Sequence, residues 1–299
     1  MTKIRSRDAS QISDRRGQGG GGGFGFPMPG GGGGGLPFPT KAGGGILGII
    51  IVLAALLLPK LLSGGNQAVP STGDQETTSS TGACETDLEQ QLCGATIDVQ
   101  DYWTRAFPNV AGGAAYEPTK TVFFSQYTDT GCGQATSQVG PFYCPLDQHV
   151  YFDLDFLVQL QEQFGATGDL AAQYIVAHEF GHHVQNLLGT NEAVNQAQQQ
   201  GASNANELSV ALELQADCYA GAWAHDAFQR GLIASEEVTN EAINAAEAVG
   251  DDRIQQRTQG RIDPESWTHG SADQRAMWFR RGFESGDPTR CTTFEEMGL

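Results

Sequence analysis

The run His178-Glu179-Phe180-Gly181-His182 sets two imidazoles four residues apart, with a carboxylate directly after the first. On an α-helix, residues at that spacing share a face about one turn apart, so both rings reach one point beside the helix. Two imidazole nitrogens so placed suit a zinc ion, and Glu179 can lie beside a metal-activated water without itself binding the metal. The chemistry on offer is zinc-assisted peptide hydrolysis. In it Glu179 is the general base that takes the proton of water and hands it to the leaving amine.

A catalytic zinc takes three protein ligands and keeps one position open, so a third ligand must come from another element. Glu213 is the candidate. The run Glu213-Leu214-Gln215-Ala216-Asp217 puts two carboxylates on one face of a second helix, among Leu212, Leu214, Ala216 and Tyr219. Acids buried there without partners would be costly, and a cation between the helices removes the difficulty. Glu213 is therefore assigned to the metal, and Asp217 to the outer ring nitrogen of a ligating histidine, His178. His269, in Thr268-His269-Gly270-Ser271 just ahead of a helix that carries Arg275, is either a stabiliser of the tetrahedral oxyanion or a capping-loop histidine. His183 falls off the ligand face and reads as a surface or supporting residue. His225, beside Asp226, reads as structural, and Trp103, Trp223, Trp267 and Trp278 as core or lining.

The elements that must position these groups are legible from periodicity. Helical spacing marks Ile97 to Phe107, Asp169 to Leu188, Asn206 to Gln229, Ser235 to Val249 and Ser271 to Phe283. β-branched and aromatic enrichment marks strands at Thr119 to Tyr127 and His149 to Phe156, the first read as an ordinary buried strand rather than an edge for an extended peptide. A small sheet followed by a helical bulk is an α+β layout. The polar stretch Asn191 to Asn206, between the two ligand helices, is either a mobile flap or an inert loop.

The segments HEFGHH, ELQADCYAGAWA and THGSADQRAMWF resemble the bacterial neutral zinc metallopeptidase family. So do GPFYCP with the following VYFD, the RGFESGDP stretch and the glycine-rich head with its apolar run, so the likeness covers almost the whole chain. The HExxH and E-x-x-x-D pairing is similar to that of gluzincin peptidases, including membrane-bound quality-control types. The resemblance implies a zincin-like fold, with His178, His182 and Glu213 as zinc ligands, Glu179 as general base and Asp217 as support. It also implies peptide or protein substrates.

Ahead of the folded domain, residues 1–45 read as a disordered glycine-rich segment that adds little to any core. Residues 46–62 read as a signal-anchor helix, because Ala42 to Leu62 is long enough to cross a bilayer, which takes about 20 residues. Lys3, Arg5, Arg15, Arg16 and Lys41 precede that run, and the positive-inside rule then places the N-terminus in the cytoplasm. Residues 63–83 read as a flexible tether, and 84–299 as the metallopeptidase domain, periplasmic or extracellular, in a single-pass membrane protein. A net charge of -18 excludes a nucleic-acid partner, which needs clustered Lys and Arg.

Six cysteines without a C-x-x-C pair suit disulfides in an oxidising compartment. Short loops suggest Cys84 with Cys93 and Cys132 with Cys144, leaving Cys218 with Cys291. Two other functions stay open at this point. In a zinc amidase or deformylase-like hydrolase, Cys132 or Cys144 would be the third ligand. In a non-catalytic envelope module, a structural zinc would staple two helices, with Cys218 as a conceivable fourth ligand.

Overall fold

The computed structural model describes residues 2–17, 82–158, 169–233, 236–259 and 261–299. The expected span at 46–62, most of the glycine-rich head and nearly all of the tether lie outside the described residues. Among the described residues, no helix is long and apolar enough to cross a membrane.

The fold is α+β, with a small mixed sheet and a helical bulk. The strands are β1 (Ile12–Asp14), β2 (Thr121–Phe124), β3 (Tyr127–Thr130), β4 (Gly133–Thr136), β5 (Phe142–Cys144) and β6 (His149–Asp153). Four of them form a sheet in the order β1-β2-β6-β5, parallel except for β5, and β3 pairs with β4 in a separate hairpin. Period-two alternation explains why every side chain of β2 is buried. Phe123, with Val150 and Phe152 of β6, faces the helical core, whereas Val122, Phe124 and Tyr151 join Phe142, Ala135 and Cys144 in a smaller cluster on the other face. The Phe142 and Tyr151 rings stack at 4.8 Å across the β5–β6 pair.

Helices described over their whole length are α1 (Asp87–Val110), α2 (Asp169–Leu187), α3 (Thr190–Gln199), α4 (Ala205–Gln229), α5 (Glu236–Ala248), α6 (Asp251–Gln259), α7 (Ala272–Ser285) and α8 (Thr293–Met297). Helices α1 and α7 each begin in a capping box, Thr86 with Glu89 and Ser271 with Gln274, which satisfies backbone donors that the first turn leaves free. Helix α4 is buried along most of its length and forms the spine, packing against α2 on one side and α7 on the other. The α4–α7 contact is backbone on backbone. A Cβ on Gly221 would meet the Phe279 carbonyl oxygen at 2.1 Å, and one on Gly282 would meet that of Cys218 at 1.9 Å, so only glycine permits the approach. Just beyond that crossing, the Cys218–Cys291 disulfide ties α4 to the C-terminal segment.

Three differences from the sequence reading have physical causes. Residues 2–17, expected to add little to any core, supply strand β1 and bury Thr2 and Ile4, because their partners lie far along the chain and leave no local pattern. Half of the polar stretch Asn191 to Asn206 is helix α3, which buries Asn191 and Val194. Of the two readings of His183, surface or supporting residue, the first is excluded by its full burial, since the far side of α2 rests on β5 and on the segment at Glu117.

Candidate metal centre

Helix α2 carries His178, Glu179 and His182, and α4 lays Glu213 and Asp217 against them. His178 Nε2 is 3.2 Å from one Glu213 carboxylate oxygen and His182 Nε2 is 3.4 Å from the other. Ligand atoms of these three residues all lie within 4.8 Å of one another. Two imidazoles and one carboxylate are a donor set that suits zinc.

The far nitrogen of each ring is held by the protein. His178 Nδ1–H donates to Asp217 Oδ1 at 2.9 Å, which leaves the Nε2 lone pair on the side of Glu213. His182 Nδ1–H donates to the Gln185 side-chain oxygen at 2.8 Å. The Gln185 amide in turn donates to the Leu212 carbonyl at 2.8 Å and the Gln215 side chain at 3.1 Å, which fixes the second ring to α4. Asp217 also accepts from the Tyr174 hydroxyl and from the Arg275 guanidinium of α7.

The electrostatics follow from this crowd of buried charges. Burial opposes ionisation of Glu213, but His182 and His178 hold its pKa well below the ordinary carboxylate value. Burial likewise opposes ionisation of Asp217, and Arg275 and His178 overcome it. Burial would lower the His178 pKa, yet the Asp217 carboxylate and the hydrogen bonds to Asp217 and Glu213 push it up to about 9. The two carboxylates around His178 make a setting suited to positive charge, and a divalent cation would compete with a proton for its Nε2. Glu179 is shifted upward, chiefly by burial, against the opposing charges of His182 and His178.

His269 lines the same cleft as His178, Glu179, His182 and Glu213. Its Nδ1–H donates to Asp251 Oδ1 at 3.0 Å, and Asp251 Oδ2 accepts the backbone N–H groups of Thr268, His269 and Gly270 at 2.7, 2.6 and 3.1 Å. Burial works against protonation of His269, but the hydrogen bond to Asp251 and the charge of Glu213 raise its pKa. Its Nε2 is the ring atom left for a group in the cleft. The cleft has a volume of about 120 Å³ and is walled largely by apolar side chains, among them Val139, Phe142, Leu212, Val249 and Ile254.

Reading the sequence alone missed Gln185, Asp251 and the grip of Arg275 on Asp217. Gln185 had a signal, lying three residues after His182 on the same helical face. Asp251 had none, because its bond to His269 spans 18 residues across a turn. His225 lies away from the centre, with its Nδ1 at 2.6 Å from the Phe283 carbonyl.

The cysteines decide against two of the ligand sets entertained above. Cys84–Cys93, Cys132–Cys144 and Cys218–Cys291 are all disulfides, and no described cysteine is free. A cysteine sulfur held in a disulfide is no thiolate ligand, so neither Cys132 nor Cys144 completes an amidase-like site and Cys218 closes no structural one.

A largely buried His-His-Glu cluster shared between an HExxH helix and a neighbouring helix forms a donor set that could hold one metal ion. The model of the family described as "Putative neutral zinc metallopeptidase" matches residues 1–294, and the chain belongs to that family. The chain is 42% identical over 289 residues to the uncharacterized protein YpfJ of Escherichia coli K12, a match that covers 96% of each chain. It is 52% identical over 186 residues to the uncharacterized protein Rv2575 of Mycobacterium tuberculosis H37Rv, covering 59% of this chain and 62% of the relative. No solved structure matches the chain.

Proposed function

We propose that the protein is a zinc-dependent peptidase that hydrolyses peptide bonds of exported or envelope proteins. The observation that carries this reading is the convergence of His178 Nε2, His182 Nε2 and the Glu213 carboxylate beside a buried, upward-shifted Glu179, in an apolar cleft. His178, His182 and Glu213 would hold the ion. Zinc, when bound, supplies a Lewis acid that acidifies water and polarises a carbonyl.

The remaining work falls to side chains of the chain itself. Glu179, whose pKa burial moves toward neutrality, accepts the proton of the attacking water and delivers it to the departing amine. His269, oriented by Asp251 and favoured in its protonated form, donates from Nε2 to the developing oxyanion. Asp217 and Gln185 keep the two ligand rings in the tautomer and orientation that face Glu213. The apolar walls accept side chains that a folded protein keeps inside, which favours unfolded or extended chains as substrates. Three disulfides support placement of the domain outside the cytoplasm, and the apolar run at 46–62 supports an association with the membrane.

The test is a purified domain loaded with zinc and offered an unfolded protein. Chelator-sensitive cleavage is expected, falling by about 10²-fold or more in Glu179→Gln while zinc content stays the same. Undiminished cleavage in that variant would remove the mechanism.

A further inference from the structure

Residues 2–17 form an arm that is built into the domain beginning at residue 82. Its strand β1 pairs in parallel with β2, Ile12 beside Thr121 and Asp14 beside Phe123. The Thr121 N–H donates to the Gln11 carbonyl at 3.0 Å and the Arg15 N–H to the Phe123 carbonyl at 2.8 Å, extending that ladder at both ends. Upstream, Thr2 and Ile4 are buried against the first turns of the HExxH helix. The Thr2 N–H donates to Asp169 at 3.1 Å, and the Gln173 amide donates to Thr2 Oγ1 and to the Ile4 carbonyl, each at 2.8 Å.

Three of the arm's four arginines are occupied by the domain. Arg5 pairs with Asp87 and, at 3.0 Å, with Asp169. Arg16 pairs with Glu89 and donates to the Gly82 carbonyl at 3.1 Å. Arg15 donates to the Asp129 carbonyl at 3.0 Å and lies over the Tyr151 ring. Helix α1 is shaped for the crossing, since a Cβ on Gly94 would lie 2.7 Å from both the Cα and the nitrogen of Arg5. Any side chain there would displace the arm's backbone.

A chain that crossed a membrane once between residues 17 and 82 would leave this arm in one compartment and its binding site in the other. The cationic residues that suggest a cytoplasmic N-terminus are largely the same Arg5, Arg15 and Arg16 that bind the domain. We infer that the arm and the catalytic domain lie on the same side of the membrane, so that the intervening chain crosses it an even number of times, zero included.

Two exposed positions in the full-length chain test this, Arg7→Cys on the arm and Leu146→Cys on the domain, the latter 76% exposed. Spheroplasts producing each variant are treated with a membrane-impermeant maleimide before and after lysis. Same-side placement predicts one shared pattern, with both cysteines labelled in intact spheroplasts or both labelled only after lysis. Labelling of one in intact spheroplasts, with the other protected until lysis, overturns the inference. The readout needs no catalysis, so the fate of the peptidase reading does not affect it.

Discussion

Arg275 grips Asp217 with two hydrogen bonds, Nε to Oδ2 at 2.8 Å and Nη2 to Oδ1 at 2.9 Å. That pair connects α7 to the HExxH helix through α4, because the same Asp217 carboxylate accepts from His178 Nδ1. The close backbone packing at Gly221 and Gly282 brings the two helices near enough for this contact. A residue 58 positions downstream of Asp217 thereby sets the charge state of the carboxylate that orients a metal-facing ring.

Asp217→Asn keeps the shape of the side chain but removes its charge. Zinc affinity is expected to fall by about 10- to 100-fold, measured by competition with a chromogenic chelator, alongside a loss of stability because the buried Arg275 guanidinium loses its counter-charge. Arg275→Met breaks the same pair from the other side and leaves a fully buried carboxylate without its cation. A loss of about 3–5 kcal/mol in denaturant-measured stability is expected. Equal stability of that variant and the parent would mean that the ion pair is not formed in solution.

The Asp251–His269 pair makes a separate prediction, because neither residue belongs to the donor set. His269→Ala should lower kcat by about 10²-fold or more, and Asp251→Asn by a smaller factor, with zinc content and KM little changed. Asp251→Asn should also move the basic limb of the pH–rate profile to lower pH, because the carboxylate that raises the His269 pKa is gone, and a purely structural loop residue would not do this. Loss of zinc in His269→Ala would instead assign that histidine to the metal.

His183 is buried and neutral. Its Nε2–H donates to the Glu117 carbonyl at 2.7 Å, so Nδ1 must accept from the Tyr143 hydroxyl at 3.0 Å. Burial lowers its pKa to about 4, against an ordinary histidine value of 6.5. A depressed histidine stabilises the fold fully above the unfolded value and loses that contribution as pH falls from 6.5 toward 4. Metal-free protein compared with its His183→Gln variant isolates the effect. The stability advantage of the parent should shrink by up to about 3 kcal/mol over that interval. A difference that does not change with pH would contradict the assigned tautomer.

Gly94→Val probes the arm directly. A side chain at that position collides with the Arg5 backbone, so the arm should lift away and Arg15 and Arg16 should become sites of rapid tryptic cleavage. Unchanged resistance to trypsin would show that the arm is held by its strand alone.

Much of the centre was legible because it is local. Helices α2 and α4 fall within a residue or so of the ranges read from periodicity, and the four-residue spacings of His178 with His182 and of Glu213 with Asp217 fix which side chains share a face. The interior strands β2 and β6 were equally plain from their β-branched and aromatic runs. Strand β1 was not, since Ile12-Ser13-Asp14 is short and mostly polar and becomes a strand only through its pairing with Thr121 to Phe123. Helix α3 was obscured by its run of Asn and Gln, which leaves it too few apolar residues to stand out from a polar loop.

By itself, then, the sequence determined the chemistry available along each helix, because a helical repeat converts spacing into direction without reference to anything else. Tertiary structure alone decided which helix faces meet. It set Arg275 on Asp217, Asp251 on His269 and the N-terminal arm against Asp169 and Gly94. Those contacts depend on backbones approaching across the fold, a property of packing that no local pattern of residues records.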